Sequence, residues 1–216
     1  MNINNYSHII WDWNGTLLDD IDLCLQIINN LLENRSLPII TREFYLDVFG
    51  FPVQDYYQKV GFNFDREPFE SISTEFITAY EDGRSKCRLM PGARTTLETL
   101  TSNGFSQSIL SASKQTYLKQ AVFEYDIQSH FNSINGLDNH HAAGKFSIAK
   151  QYLMSQNHTS LLLIGDTLHD AKIASILAID CWLIPNGHQS RHRLNSAKVP
   201  LLDSVHDIMD IILNEK

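Results

Sequence analysis

Cysteine is scarce in this sequence, with only Cys24, Cys87 and Cys181 among 216 residues. Their number is odd, their spacing is wide, and none lies in a CxxC or Cys/His pattern. These features argue against a disulfide framework and against a structural zinc site. We therefore expect the three thiols to be small apolar side chains of the protein interior.

The sequence also lacks an excess of positive charge and any long hydrophobic run. Its 17 Lys and Arg residues are outnumbered by 25 Asp and Glu residues, and the net charge of −8 argues against general nucleic-acid binding. No apolar stretch approaches membrane-spanning length, and the first residues do not resemble a signal peptide. We expect a cytoplasmic protein that binds neither nucleic acid nor membrane, and whose acidic balance suits divalent cations.

Apolar residues make up 43 % of the chain, which is ordinary for a globular protein of one large domain or of a main domain with an insert. Residues 18–87 have helical apolar spacing and no strand signal. Four helices are expected there, starting near Ile21, Thr41, Pro52 and Pro68. This segment is predicted to be an all-helical insert.

The rest of the chain alternates short apolar runs with helical periodicity. The runs predict five strands, which start at His8, Ser106, Phe131, Ser160 and Cys181. Ser113 is expected to cap the helix after the second strand, and residues 186–198 are expected to form a polar loop. Strands that alternate with helices predict an α/β fold with a doubly wound parallel sheet.

Polar side chains follow the predicted strands at their carboxyl ends, where such sheets bind ligands. Asp12 follows the first strand, Ser111 the second, and Asp166 and Asp170 the fourth. Lys145 joins them if its preceding loop bends inward. A buried carboxylate is costly unless something charged meets it. Asp12 therefore either bonds its own turn or belongs to a site for a metal or a phosphoryl group.

This set of residues has the chemistry of phosphoryl transfer. Asp12, Asp166 and Asp170 offer the hard oxygen ligands that Mg²⁺ prefers. The Ser111 hydroxyl and the Lys145 ammonium would orient and neutralise a phosphoryl group. With its charge shielded by the metal, Asp12 could attack phosphorus and form an aspartyl-phosphate.

Four segments, in this order along nearly the whole chain, resemble the motifs of the haloacid dehalogenase superfamily. They are Asp12-Trp13-Asn14-Gly15-Thr16 at the DxDGT motif, Ser111 at the Ser/Thr motif, Lys145 at the lysine motif without its usual following proline, and Gly165-Asp166-Thr167-Leu168-His169-Asp170 at GDxxxD. Within that superfamily the chain is most similar to phosphoglycolate-phosphatase-like hydrolases with a helical cap.

The resemblance implies a Rossmann-like core over residues 1–17 and 88–216, and a helical cap domain over residues 18–87. It implies a monomeric or homodimeric phosphatase for a small phosphorylated metabolite, with Mg²⁺ as cofactor. Its metal ligands would come from Asp12, the backbone carbonyl of Asn14, Asp166 and Asp170, the last of which could instead support Lys145. Its catalytic and phosphate-binding residues would be Asp12, Asn14, Gly15, Thr16, Ser111, Ala112 and Lys145.

Asn14 departs from the family pattern. The family's second Asp protonates the leaving alcohol and then activates water, and an amide does neither. Three hypotheses follow: a phosphatase whose substrate has a good leaving group or its own proton-transfer groups, a pseudo-phosphatase that binds a phosphorylated ligand or traps the aspartyl-phosphate, and deamidation at Asn14-Gly15. A rigid turn disfavours the third. Dehalogenation fits less well, because Ser111 and Lys145 suit phosphate. Phosphonate cleavage fits less well, because it needs a Schiff-base lysine and Lys59 does not have the expected spacing.

Two further groups of residues are candidates for the site. His188 follows the last strand and is the best-placed histidine, whereas His140, His141 and His169 are expected to be ordinary polar residues. Aromatic residues of the insert either line the substrate cavity or form the insert's own core: Phe44, Phe49, Phe51, Tyr56 and Tyr57.

Overall fold

The computed structural model describes residues 2–137, 145, 149–150, 152, 160–185 and 187–214. Its strands are β1 (His8–Trp11), β2 (Leu18–Asp19), β3 (Arg88–Leu89), β4 (Ser106–Lys114), β5 (Ser133–Leu137), β6 (Leu161–Gly165) and β7 (Asp180–Leu183). Its α-helices are α1 (Ile21–Glu33), α2 (Arg42–Val48), α3 (Val53–Lys59), α4 (Phe69–Gly83), α5 (Ala93–Ser102), α6 (Gln115–Glu124), α7 (Leu168–Leu177), α8 (Arg191–Leu194) and α9 (Asp207–Asn214). No helix in these ranges is both long and apolar enough to span a membrane.

Five strands form a parallel sheet in the order β5-β4-β1-β6-β7. β1 is central, and the chain adds β4 on one side of it and β6 on the other. Its side chains are buried on both faces: Ile9 and Trp11 belong to one hydrophobic cluster, and Ile10 belongs to another. This double burial explains the uninterrupted apolar runs. The predicted doubly wound α/β fold is confirmed.

Helices cover both faces of the sheet. Residues of α5, α6 and α9 contribute to the cluster of Ile9 and Trp11, and residues of α7 and α8 contribute to that of Ile10. In α7 the hydroxyl of Thr167 accepts a hydrogen bond from the Asp170 amide, and the Asp170 carboxylate accepts one from the Thr167 amide. This capping box holds Asp170 at the start of the helix, directly beyond β6.

The helices α1 to α4 form a separate hydrophobic cluster, whose buried members run from Ile21 to Ile72. α1 ends at Glu33, five residues before Pro38, and the Thr41 hydroxyl caps α2 by accepting from the Phe44 amide. The four helices occur where helical spacing predicts them.

β2 and β3 form a two-stranded antiparallel ribbon, in which Leu18 pairs with Leu89 and Asp19 with Arg88. Sequence periodicity did not indicate it, because two residues are too few to show alternation. The ribbon lies where the chain enters and leaves the helical segment. The division of the chain into a core and a cap at these points stays a prediction.

Several local predictions are wrong. Ser113 does not cap α6, since β4 continues to Lys114 and the helix starts at Gln115 without a side-chain cap. The segment 186–198 is not simply a loop, because Ser190 caps α8 there. The thiols of Cys24 and Cys181 are buried as expected, whereas Cys87 is only partly buried.

Candidate active site

The carboxyl edge of the central strands brings three of the predicted residues together. Trp11 pairs with Ile109 on one side and with Ile164 on the other, so Asp12, Ser111 and Asp166 emerge side by side just beyond these pairs. All three are buried. They line a cavity of about 860 Å³, whose opposite walls are side chains of α2, α3 and α4.

Lys145 joins this edge as predicted. Its Nζ lies 2.5 Å from Asp12 Oδ1 and 2.5 Å from Asp170 Oδ1, and all three side chains are buried. The second oxygen of Asp170 accepts from the Thr167 amide at 3.1 Å and from the Thr167 hydroxyl at 2.6 Å. With Lys145 on one of its oxygens and Thr167 on the other, the Asp170 carboxylate is fixed in the position from which it pairs with Lys145.

Asp166 is held by contacts that leave little freedom. Its oxygens accept from the Thr16 hydroxyl at 3.1 Å and from the His188 amide at 2.5 Å. Two glycines pack against it: a Cβ at Gly15 would lie 2.4 Å from Asp166 Oδ2, and one at Gly187 would lie 2.2 Å from the same atom. Gly15 also has a φ of +72°, so both space and backbone conformation favour glycine there.

Crowded carboxylates perturb one another here. Burial raises the pKa of Asp12 well above its ordinary value; Asp170 and Asp166 add to the rise, and the Lys145 ammonium opposes it. Burial also raises the pKa of Asp166 to about 6, against the attraction of His188. The pKa of Asp170 is lowered despite its burial, because Lys145 and Thr167 stabilise its charged form.

The donor set fits a small hard cation. Ligand oxygens of Asp12, Asp166 and Asp170 lie within 4.8 Å of one another. A divalent ion among them would offset the repulsion between the carboxylates, which adds to the effect of burial on the pKa values of Asp12 and Asp166. Oxygen-only ligation suits Mg²⁺.

Asn14 makes a complete set of side-chain hydrogen bonds. Its Nδ2 donates to Asp20 Oδ2 at 2.7 Å and to the Tyr80 hydroxyl at 2.6 Å, and its Oδ1 accepts from the Ser113 hydroxyl at 2.6 Å. Tyr80 belongs to α4, and its hydroxyl also donates to Asp20 Oδ2 at 2.7 Å. The side chain of residue 14 therefore connects the core strands to the helical segment.

Asp20 is the site residue that sequence reasoning missed. It is buried and accepts hydrogen bonds from the Gly15 amide, Asn14 and Tyr80, and His188 Nε2 lies 3.2 Å from its Oδ1. Burial alone would lower the pKa of His188, but the Asp20 carboxylate outweighs it and raises the pKa to about 9. The available signal was an acidic pair, Asp19-Asp20, directly before an apolar helix, where one acid is usually a solvated N-cap.

Asp20, Cys24 and His188 also lie close enough to form a candidate metal cluster. Hydrogen bonds already account for their positions: the Cys24 thiol is 3.8 Å from Asp20, and His188 Nδ1 is 2.8 Å from the Tyr45 hydroxyl. Burial raises the pKa of the Cys24 thiol well above its ordinary value, which opposes the thiolate that a metal would need.

The other predicted residues are distributed as follows. Gly15 and Thr16 are buried and donate to Asp20 and Asp166, while Ala112 is exposed and lines the cavity with Ser111. Their contacts with substrate stay predictions. His140 and His141 lie outside the described residues.

Aromatic residues of the helical segment serve both of the purposes that the sequence left open. Tyr56 and Tyr57 are buried in the cluster of α1 to α4 and also line the cavity. Phe49 packs against that cluster and lines the cavity, whereas Phe51 lines the cavity and is 43 % exposed. Phe44 is 42 % exposed and does not line it. His169, expected to be an ordinary polar residue, lines the cavity and stacks on Phe51.

Comparison with known proteins identifies the family of the chain. The family model of haloacid dehalogenase-like hydrolases matches residues 9–184. No curated protein matches the chain.

Solved structures share its fold over nearly their full length. A haloacid dehalogenase-like family hydrolase from Streptococcus pneumoniae has a TM-score of 0.81 and 17% identity, covering 97% of this chain and 100% of its own. A predicted phosphoglycolate phosphatase from Haemophilus somnus has a TM-score of 0.71 and 19% identity, covering 98% and 100%. Protein Tyrosine Kinase A from Mycobacterium tuberculosis has a TM-score of 0.80 and 17% identity, covering 96% and 98%. Identities this low establish the fold and leave the reaction to be argued from the site.

Proposed function

Because the chain belongs to the haloacid dehalogenase-like hydrolase family, we propose that it is a Mg²⁺-dependent phosphatase of a small phosphorylated metabolite. One observation carries the proposal: a buried Asp12 carboxylate lies 2.5 Å from the Lys145 ammonium, beside Asp166 and in the lining of the cavity. A carboxylate, an ammonium and a second carboxylate at one sheet edge suit phosphoryl transfer.

Asp12, Asp166 and the backbone carbonyl of Asn14 would hold the cation, which supplies positive charge next to the phosphoryl oxygens. Ser111 and Lys145 would bind the remaining phosphoryl oxygens, and Asp170 would keep Lys145 in place. Gly15, Thr16 and Gly187 would act through Asp166, whose orientation they fix.

In the first step, an oxygen of Asp12 forms a bond to phosphorus while the bond from phosphorus to the leaving oxygen breaks. In the second, water attacks the aspartyl-phosphate and releases inorganic phosphate and free Asp12. The amide of Asn14 has no acidic proton to give in the first step and is too weak a base to take one in the second, so those protons are exchanged with water. General acid–base help worth about 10² to 10⁴ in rate is therefore missing at this position.

The hydrogen bonds of Asn14 favour a second candidate, a pseudo-phosphatase that binds a phosphorylated ligand or keeps the aspartyl-phosphate. Asn14 is fully occupied by Asp20, Tyr80 and Ser113, which makes it a structural connection rather than a group free to meet substrate. Slow breakdown of the adduct would then be the functional state.

One assay separates the two candidates. Wild type, Asp12→Asn and Ser111→Ala are mixed with phosphate esters and acetyl phosphate, with Mg²⁺ or with EDTA, and phosphate release and covalent labelling of Asp12 are both followed. Multiple turnover that needs Mg²⁺ and Asp12 supports the phosphatase. A single-turnover adduct on Asp12, or binding of a phosphate ester without turnover, supports the pseudo-phosphatase. The absence of turnover, of adduct and of binding refutes the two candidates together.

A further inference from the structure

We infer that the substrate is an aryl phosphate, a phosphate ester whose leaving group is a phenol that carries a hydrogen-bond acceptor. The inference rests on the proposed phosphatase function and names the substrate class of that site. It combines three independent observations: the aromatic walls of the cavity, a buried hydroxyl without a partner, and the amide at position 14.

Aromatic rings line the cavity from the acids upward. The ring of His169, next to Asp170, stacks on Phe51 with centroids 4.6 Å apart, and the ring of His188, next to Gly187, lies 5.0 Å from that of Phe49. Phe49 in turn contacts Tyr56 at 5.2 Å. A leaving group bound above Asp12 would therefore meet ring faces and edges, which favour a flat aromatic group over a short charged chain.

Tyr56 belongs to this apolar wall and carries a buried hydroxyl. The residue is 2 % exposed, it lines the cavity, and its hydroxyl has no hydrogen-bond partner among the described residues. A buried hydroxyl without a partner is costly, and a ligand that offers an acceptor there regains the lost hydrogen bond. An acceptor on the ring of the leaving group would satisfy Tyr56 without adding a charge to the cavity.

The amide at position 14 also favours aryl phosphates, because it cannot protonate the leaving group. When Asp12 attacks phosphorus, the electron pair of the breaking P–O bond leaves on the ester oxygen. A phenolate carries that charge readily because phenols ionise at a pKa of about 10, whereas an alkoxide is about as basic as hydroxide and needs a proton at once. A phenolate can leave first and take its proton from water afterwards, so the missing acid costs least for aryl esters.

A competing substrate class is visible on the same walls. Arg84 and Lys114 line the cavity, each with its charge 4.8 Å from the ring centroid of Tyr117, and they could bind the carboxylate of a small phosphorylated acid. 2-Phosphoglycolate is therefore the appropriate competitor in the test.

The first experiment compares phenyl phosphate, benzyl phosphate and 2-phosphoglycolate with Mg²⁺ and wild-type protein. We expect kcat/KM for phenyl phosphate to exceed that for 2-phosphoglycolate by about 100-fold or more. Benzyl phosphate keeps the ring but leaves as an alkoxide, so its KM should resemble that of phenyl phosphate while its kcat falls. Equal or better use of 2-phosphoglycolate overturns the inference and leaves the phosphatase proposal intact. Absence of turnover and of adduct with all three refutes the phosphatase proposal itself.

The second experiment tests Tyr56 with Tyr56→Phe, using 4-nitrophenyl phosphate and phenyl phosphate. The ratio of wild-type to variant kcat/KM cancels the difference in leaving group between the two esters. We expect a ratio of about 5 to 10 for the nitro ester and close to 1 for phenyl phosphate. Equal ratios for the two esters would remove Tyr56 from the recognition of substrate.

A matched control distinguishes recognition from folding. Tyr6→Phe also removes one hydroxyl, which donates to Asp180 on the far edge strand β7, and it should leave both ratios at 1. Tyr56→Phe should not lower the midpoint of thermal unfolding, because the hydroxyl that it removes has no partner in the described part of the chain. A variant that loses activity together with stability would instead assign Tyr56 a structural role and overturn this part of the inference.

Discussion

Replacing Asn14 by aspartate completes the family's DxDGT motif, yet the structure predicts that this change by itself is destabilising. The new carboxylate would take the place of an amide nitrogen that lies 2.7 Å from Asp20 Oδ2. It would convert a hydrogen bond between a partly buried amide and a buried carboxylate into a contact between two carboxylates. Tyr80, which now accepts from Asn14, would have only one proton for two acceptors.

The magnitude follows from the distance. Two unit charges 2.7 Å apart repel by about 6 kcal/mol at an effective dielectric constant of 20. Sharing one proton is cheaper, so the pair should titrate with one pKa raised well above its ordinary value. We expect Asn14→Asp to lower the free energy of unfolding by about 2 to 4 kcal/mol above that pKa. The loss of stability should shrink as the pH falls, because the carboxyl with the raised pKa takes up a proton in the folded state and the repulsion disappears.

The assay is a double-mutant cycle of Asn14→Asp and Asp20→Asn, measured by urea unfolding at pH 5 and pH 8. The double variant exchanges amide and carboxylate and should recover at least half of the stability lost by Asn14→Asp at pH 8. Phosphate release should rise most in this double variant, because its acid at position 14 has an amide neighbour. Additive effects, or an Asn14→Asp protein as stable as wild type at pH 8, would refute the reasoning.

Three other predictions follow from the site. Lys145→Met leaves two buried carboxylates without their ammonium partner, so urea unfolding without added cation should show a loss of about 3 to 5 kcal/mol, and Mg²⁺ should restore part of it. Gly187→Ala places a methyl group 2.2 Å from Asp166 Oδ2, and calorimetric titration should show Mg²⁺ affinity reduced about tenfold or more; unchanged affinity would disconnect the glycine from the metal site. Because the folded pKa of His188 is raised to about 9, the stabilisation by its ion pair is complete below about pH 6.5 and is lost as the pH rises through about 9. Asp20→Asn should flatten this alkaline decline of the unfolding free energy, and an unchanged slope would contradict the assignment.

The core sheet could be predicted from sequence because its strands are buried on both faces. Runs such as Ile9-Ile10-Trp11 and Leu162-Leu163-Ile164 have no polar alternation and are bounded by turn residues. Short apolar runs of this kind are typical of buried strands in a parallel sheet. Asp12 and Asp166 follow from these strands, since the rule for ligand sites in parallel sheets needs only the strand ends. The β2–β3 ribbon could not be found in this way, because its paired residues are 71 and 69 positions apart and only the tertiary fold pairs them.

The hydrogen-bond network around Asn14 was beyond sequence reasoning for a related reason. Asn14 and Asp20 are near each other in the chain, but Tyr80 and Ser113 reach them from α4 and β4. Ser113 looked like a helix cap because Ser commonly precedes helices, and its hydroxyl instead donates to Asn14, where it satisfies a partly buried amide. Periodicity assigns faces of elements and does not identify which polar atoms meet across them.

The charges at the strand ends also set an order of assembly. Asp12, Asp166 and Asp170 bring three formal negative charges and Lys145 brings one positive charge, which leaves −2 at the place where the proposed function requires a phosphate dianion to bind. A divalent cation neutralises that remainder, so anion affinity is conditional on prior occupancy by the cation. For the proposed phosphatase we therefore expect ordered steady-state kinetics, in which Mg²⁺ adds first and substrate second. Product phosphate should then inhibit only in proportion to the fraction of protein that carries Mg²⁺, which ties the sensitivity of the protein to its own product to the free Mg²⁺ concentration around it.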